Sequence, residues 1–436
     1  MSDAFFGKFH RGFPEWLPGA RRREQEVMAS IRRIYESYGY TPIETCAVEK
    51  VEALATSGDV SKEIFGIHRL AAATEDREGE FGLHFDLTLP FARYTADNYA
   101  NLQFPFKRYQ QQKVWRGEKA QSGRYREFYQ SDIDIVGDGE LPLHYEAEVV
   151  QVLHDIFEAL QVGDFVIRIN NRKLLDGLYR QQGINEFGKT LIAVDKIDKI
   201  GKDGVTKLLL ENGLSAEQAA FCVDLASRKY SLTEAFDFLA SLDTSHEIVA
   251  LAKLELESIF KNLAHLPAGR IRFDLSIARG LDYYTGSVYE CNLVGLEQYG
   301  SVCSGGRYDN LASKFTERKL PGVGLSIGVS RLLYILFESG RLAPLPATPT
   351  EVMVLLFDEN QRPLGNQVAA QLRAAGLRVE TTPSAKRFGK QIQFAEKRGA
   401  RFIVMPEADG SFQMKNLVAG AQGPLDLEAL VKELRG

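Results

Sequence analysis

Three observations predict an α+β protein, an antiparallel sheet with flanking helices that is interrupted by a helical insertion and followed by a small α/β domain. From about Phe81 to Val136 apolar and polar residues alternate between turn-forming residues, as antiparallel strands require. Residues 170 to 265 instead carry several patterns of helical period in succession. Arg341 to Thr350 holds three prolines in ten residues and reads as a linker, beyond which a fresh β-α-β-α-β pattern begins. The 436 residues are enough for about three domains at roughly 150 residues each.

The elements follow in order. Val27, Ile31, Ile34, Tyr35 and Tyr38 recur at helical spacing within residues 19 to 38, and Gly39 stands at the expected C-terminal end. Leu143 to Leu160 is helical by the same test, as are Ala216 to Leu225 and Ile248 to Leu263 within the insertion. Strand patterns return at Arg270 to Ile277 and Ser287 to Val294, and Gly322 to Ile327 leads into an apolar helix over Val329 to Glu338. After the linker come a strand at Val352 to Phe357, a helix to Ala375 and a strand at Leu377 to Glu380. A helix from about Lys390 to Lys397, strands at Phe402 to Met405 and near Phe412 to Leu417, and a last helix from about Leu425 complete the chain. The domains expected are therefore 1–169 with 266–340, an insertion at 170–265, a linker at 341–350 and a C-terminal domain at 351–436.

Composition excludes several classes. With 44% hydrophobic and 25% charged residues the chain is neither disordered, nor collagenous, nor a disulfide-dense miniprotein. Its longest apolar runs, such as Val352 to Phe357, are too short to span a bilayer. The N-terminus lacks a basic region followed by an apolar stretch and a small-residue cleavage site. Cys46, Cys222, Cys291 and Cys303 lie far apart with no Cys-x-x-Cys pair, which suits reduced, buried thiols. These features predict a cytoplasmic protein with no membrane partner. The net charge is −5, yet Lys107 to Arg126 carries seven basic residues against one acid and Lys386 to Arg401 six against one. Local basic patches on an acidic chain suit anionic ligands, although a solvated helix face explains the second patch equally well.

The richest stretch is Lys113 to Val136, a strand, a polar Gly-containing loop and a second strand. Because side chains alternate across a strand, Arg116 and Glu118 are expected on one face. Arg126, Phe128, Gln130, Asp132 and Asp134 share one face of the second strand, with Tyr129, Ile133 and Ile135 opposite. An arginine, an amide and two carboxylates beside apolar positions are costly unless they line a ligand site or meet water.

Arg-x-Glu before a basic loop and a returning strand resembles motif 2 of class II aminoacyl-tRNA synthetases. Ile277 to Gly286 contains Arg279-Gly-Leu-Asp-Tyr-Tyr284, which resembles the histidine-specific motif of histidyl-tRNA synthetases. Asp86-Leu-Thr88, Cys303-Ser-Gly-Gly-Arg-Tyr-Asp309 and Gly322 to Arg331 extend the resemblance in family order, the last being similar to class II motif 3. Two departures stand out: Cys46 occupies the position of the usual motif 1 proline, and Ser330 that of the acid before the motif 3 arginine.

The resemblance implies a class II synthetase-like antiparallel sheet and a C-terminal α/β anticodon-binding domain. It implies that Asp86, Thr88, Gln130, Asp134, Tyr283 and Tyr284 line a histidine pocket, and that Arg116 and Arg279 flank the α-phosphate and the substrate carboxylate as the catalytic pair. Glu118, Arg124 and Arg331, with Arg116, would meet ATP, whose phosphates would carry Mg²⁺; no tightly bound organic cofactor is expected. Asp132, Arg126 and Arg307 stay outside this set. Neither His84, His144 nor His154 has ligand spacing with another His or Cys, so each is expected to be structural or on the surface. The implied reaction is ligation of L-histidine to its cognate tRNA through histidyl-adenylate, by a homodimer. An alternative remains: a catalytically silent, synthetase-like regulatory subunit of ATP phosphoribosyltransferase, a class that lacks the anticodon-binding domain and has degraded ATP motifs. A general RNA-binding protein on a borrowed fold would need no histidine and ATP constellation.

Overall fold

The computed structural model describes residues 5–7, 10–55, 63–70, 80–121, 123–277, 283–407 and 409–435. The helices are α1 (Pro18–Ser37), α2 (Val51–Leu54), α3 (Thr88–Asp97), α4 (His144–Ala159), α5 (Arg172–Gln181), α6 (Phe187–Val194) and α7 (Ile197–Glu211). They continue with α8 (Ala216–Ala226), α9 (Leu232–Ala240), α10 (Glu247–Leu263), α11 (Val329–Glu338), α12 (Arg362–Ala374), α13 (Phe388–Arg398) and α14 (Leu427–Arg435). The chain forms two compact units, one from residues 10–14 and Glu24–Leu342, the other from residues 5–7, Glu15–Arg23 and Ala343 onward.

The first unit is built on strands β1 (Thr41–Pro42), β2 (Val48–Lys50), β3 (Gly66–Ile67), β4 (Phe81–Leu83), β5 (Phe106–Trp115) and β6 (Glu127–Val136). It adds β7 (Phe165–Asn171), β8 (Lys229–Tyr230), β9 (Ile271–Asp274), β10 (Ser287–Leu293), β11 (Cys303–Tyr308) and β12 (Gly322–Gly328). Nine of these form one sheet in the order β1-β5-β6-β12-β11-β10-β7-β9-β8. All its pairs are antiparallel except β1 with β5 and β7 with β9. A small second sheet runs β2-β4-β3. Helix α4 packs on β12 and β6 and α11 on β6 and β12, and Val149, Val150, Leu153 and Ile156 of α4 and Leu332, Leu333 and Ile335 of α11 are all buried. Residues 172–263 hold α5 to α10, and α10 packs on both α4 and α5. Capping boxes at Ser215 and Ser231 start α8 and α9 by satisfying N–H groups that a first turn leaves open.

Two expectations need correction. The stretch read as continuous strands contains a helix, α3, whose Pro90 falls in the first turn, where a missing N–H costs nothing. The Asp86 carboxylate accepts the Leu89 N–H at 3.2 Å and anchors that turn. Second, β5 ends at Trp115, so Arg116 and Glu118 stand just past the strand, in the loop to β6.

The second unit holds β13 (Val352–Val354), β14 (Val379–Thr381), β15 (Phe402–Pro406), β16 (Phe412–Asn416) and β17 (Gln422–Pro424) in the order β14-β13-β15-β16-β17. The first three are parallel and the last two join antiparallel. Alternation along the buried strands makes two cores. Val352, Val354, Phe402 and Val404 pack with Val368, Leu372 and Leu430, whereas Met353, Leu355, Ile403 and Met405 pack with Ala395. Helices α12 and α14 thus cover one face and α13 the other.

Candidate active site

A cavity of about 1590 Å³ lies over the middle of the nine-stranded sheet. Its floor follows from strand register. Asp134 sits opposite Arg108 on β5 and Gly324 on β12; Asp132 sits opposite Gln110 and Ser326; Gln130 sits opposite Gln112 and Gly328. Arg108 and Asp134 are fully buried and form an ion pair at 2.5 Å, and Tyr308 Oη donates to the other Asp134 oxygen at 2.6 Å. Asp132 has a lighter set of partners. Ser326 Oγ donates to its Oδ1 at 2.6 Å, and Gln130 Nε2 donates to Ser326 Oγ at 2.5 Å. Gln130 Oε1 is buried without a partner. Burial pushes the Asp132 carboxyl up to about 7 and that of Asp134 up to about 6, with Arg108 pulling both down. Asp86 is likewise raised by burial.

One wall is aromatic. Tyr283 Oη donates to Asp86 Oδ2 at 3.0 Å, and Thr88 also meets the Tyr283 hydroxyl. Tyr284 stands edge-on to Tyr283, their ring centres 5.0 Å apart. Three strand glycines permit these approaches. A Cβ on Gly324 would lie 2.1 Å from Asp134 Oδ1, one on Gly322 2.2 Å from the Tyr308 ring, and one on Gly306 2.8 Å from the Tyr284 ring.

The rim is cationic. Arg116 Nε donates to the Phe85 carbonyl at 3.0 Å and its guanidinium lies 5.1 Å from the Phe128 ring centre, which fixes the fork while leaving further N–H groups to serve a ligand. Arg331 donates to the Tyr299 carbonyl, and burial, with Arg124 nearby, brings its guanidinium down to about 10. Ser330 is not idle: its Oγ accepts the Tyr129 N–H at 3.0 Å, tying α11 to β6. At the far end Asp274, equally buried, accepts from Arg168 Nε at 2.7 Å and from the Ser276 N–H and hydroxyl at 3.0 and 2.6 Å. Lys229 adds a second cation 3.6 Å away, and the Asp274 carboxyl is held below its ordinary value. Glu290, 3.5 Å from Arg168 but without a hydrogen bond to it, is pushed up to about 7 by burial.

Of the residues singled out from sequence, Asp86, Thr88, Arg116, Arg124, Gln130, Asp134, Tyr283, Tyr284 and Arg331 all line this cavity. Arg279 lies outside the described residues. Glu118 faces Arg124 at 3.6 Å and is not part of the lining. Arg307 is elsewhere, buried against Glu146 and Asp309 at 2.9 Å each. Asp132, set aside from sequence, lines the cavity, as does Ser326, while Arg108 buttresses the floor. The two-residue period already placed Asp132 beside Gln130 and Asp134, whereas Arg108 and Ser326 needed the register. His84 is buried and bonded to the Lys113 carbonyl at 2.7 Å, a structural role. All four cysteines are free, and Cys46 is exposed rather than buried. Among the described residues no cluster of three or more His, Cys, Asp or Glu could hold a metal ion, and no helix is long and apolar enough to cross a membrane.

A long antiparallel sheet, a β5–loop–β6 arm with an arginine at its bend, and a Gly-rich strand running into α11 beside a second arginine define a class II aminoacyl-tRNA synthetase. A family model for histidyl-tRNA synthetase matches residues 12–332, and one for an anticodon binding domain matches residues 351–436. The histidine–tRNA ligase of Thermobifida fusca strain YX is 44% identical over 419 residues, 95% of this chain and 96% of that protein. That of Nostoc sp. PCC 7120 is 41% identical over 445 residues, 97% of this chain and 96% of that protein. The crystal structure of histidyl-tRNA synthetase from Nostoc sp. PCC 7120 superimposes with a TM-score of 0.88 at 40% identity, covering 98% of this chain and 99% of that one. A Bacillus halodurans structure described as an ATP phosphoribosyltransferase regulatory subunit/histidyl-tRNA synthetase shares the fold at 20% identity and a TM-score of 0.71, covering 88% of this chain and 96% of that one. The chain belongs to the histidyl-tRNA synthetase family.

Proposed function

We propose a division of labour among the cavity residues for the histidine–tRNA ligase reaction to which family membership assigns the chain. The observation that carries it is an imbalance of charge. Asp132 and Asp134 share one buried guanidinium, Arg108, with the buried Asp86 carboxylate near both and the unpartnered Gln130 Oε1 beside them. A buried carboxylate without a cation is costly, and the ammonium group of an amino acid supplies one. Asp132 and Gln130 take that ammonium, with Asp86 beside them. Tyr283, Tyr284, Thr88 and Asp134 frame the imidazole, whose N–H and lone pair demand hydrogen-bonding partners that an apolar side chain would leave unmet.

Arg116 and Arg279 then hold the substrate carboxylate against the α-phosphate of ATP, with Glu118, Arg124 and Arg331 along the nucleotide. The carboxylate oxygen attacks the α-phosphorus, the bond to the bridging oxygen breaks and pyrophosphate leaves with its electron pair. The arginines neutralise the charge that grows on the phosphate oxygens in the transition state. In the second step the terminal ribose hydroxyl of tRNA attacks the acyl carbon, its proton passing to a phosphate oxygen as AMP departs. Mg²⁺ would neutralise phosphate charge while riding on the nucleotide, and no carboxylate cluster is assigned to it.

The same reading divides the chain at 1–169 with 266–340 for catalysis, 170–265 as the insertion, 341–350 as linker and 351–436 for the anticodon. It includes a cytoplasmic homodimer. The exposed Val48, Ile67 and Phe81 on the small β2-β4-β3 sheet support a contact between copies. Histidine-dependent exchange of labelled pyrophosphate into ATP tests the proposal. Exchange with histidine alone among the amino acids, lowered about a hundredfold or more in kcat by Arg116→Ala, is expected. Folded protein that binds histidine without exchange would favour the regulatory-subunit reading.

A further inference from the structure

The match to an anticodon-binding domain does not say where on residues 351–436 an RNA base would sit. In the second unit, β13 is followed by α12 and a strand on one side, β14, and then by α13 and a strand on the other, β15. That reversal of direction makes a topological switch point, and in open parallel sheets ligands collect outside the carboxyl ends of the strands at such a point. Phe357 lies just beyond the carboxyl end of β13 and Phe388 opens α13. Their rings stack 4.9 Å apart, only 14° from parallel.

The pair is not simply core. Phe357 is 55% exposed, whereas Met353, Leu355, Ile403 and Met405, on the same face of the sheet, are buried. One Phe357 face is covered by Phe388, so the exposed face continues a stack. The backbone beneath is rigid. Gln391 clamps Leu356 through both its N–H (3.1 Å) and its carbonyl (2.7 Å), and the Phe357 N–H is taken by Gln361 Oε1 at 3.0 Å. Three cations flank Phe388 along the chain: Lys386, Arg387 and Lys390 are all exposed and none enters an ion pair among the described residues. The nearby acid Glu359 is already matched by Arg362 at 2.6 Å. The basic patch seen in the sequence therefore splits. Its first three members bracket Phe388 at the start of α13, while Arg398 at the other end of α13 is tied to Glu380 at 2.8 Å.

We propose that Phe357 and Phe388 form the stacking platform for an unpaired base of the tRNA anticodon loop, with Lys386, Arg387 and Lys390 taking the adjoining phosphates. An exposed aromatic face next to free cations is the combination that binds single-stranded nucleic acid, and paired bases cannot reach it. This rests on the reading of residues 351–436 as the anticodon-binding domain.

The test measures binding of a hairpin RNA reproducing the histidine tRNA anticodon arm to the full-length protein. Phe357→Ala should weaken it about tenfold or more, and Phe357→Trp should restore it while Phe357→Leu does not. Replacing Lys386 and Arg387 by Ala should flatten the dependence of log affinity on log salt by about 0.7 for each phosphate that is no longer neutralised. Thermal unfolding of each variant shows that it is folded. If wild-type protein binds the hairpin but Phe357→Ala binds equally well, or Leu serves as well as Trp, the platform is wrong. If wild-type protein does not bind the hairpin at all, the anticodon reading beneath it falls instead.

Discussion

Asp132 and Asp274 face the same cavity from opposite ends, both are about 1% exposed, and their carboxyls are pushed in opposite directions. Asp274 has a guanidinium at 2.7 Å, an ammonium at 3.6 Å and two donors from Ser276. Asp132 has one hydroxyl and a share of Arg108, whose close partner is Asp134. Burial is the same; the company differs. A matched carboxylate stabilises the fold, and an unmatched one is held ready for a cation from outside.

The comparison breaks most visibly at Arg168. Replacing Arg168 by Ala strands a buried carboxylate, so urea unfolding should show a loss of about 3–5 kcal/mol. A loss below about 1 kcal/mol would mean that Asp274 does not depend on its partner. At the other end, Asp132→Asn should leave unfolding within about 1 kcal/mol of wild type and raise the KM for histidine roughly ten- to a hundredfold, the worth of a hydrogen bond to a charged group. If instead Asp132→Asn destabilises and spares the KM, the two ends have been assigned the wrong way round. The finest test is pH. A carboxyl near 7 is half protonated in the empty protein at neutral pH and must ionise to hold an ammonium, so histidine affinity should fall as pH drops from about 8 to 6. Histidine itself titrates in this range, so the difference between wild type and Asp132→Asn isolates the residue. Equal slopes would remove Asp132 from the proton balance.

The periodic parts of the chain were legible without coordinates. Helix α11 spans Val329 to Glu338 as its apolar run predicts, and the strand–loop–strand arm is present, though its first strand stops at Trp115, short of Arg116 and Glu118. Helix α3 was hidden because a ten-residue helix opening with Thr88-Leu-Pro-Phe has no periodic stretch long enough to outweigh the strand-like residues around it. The site was legible wherever a motif carried it in consecutive residues. It was not where partners come from strands far apart in sequence: Ser326 lies 194 residues from Asp132 and Arg168 lies 106 from Asp274. Which carboxylate is matched and which is not is a matter of register, and alternation alone does not supply register.

Glycines 306, 322 and 324 bear on how this enzyme could be redesigned. Where Asp134, Tyr284 and Tyr308 crowd in, the neighbouring strands present bare backbone. A pocket bounded by side chains can be enlarged by trimming them, but on this side there is nothing left to trim. Every added side chain at these positions would meet atoms already in place and force them to shift. Selection for a bulkier amino acid must therefore work through the side chains that remain, because a substitution at these glycines displaces Asp134, Tyr308 or Tyr284 instead of reshaping free space.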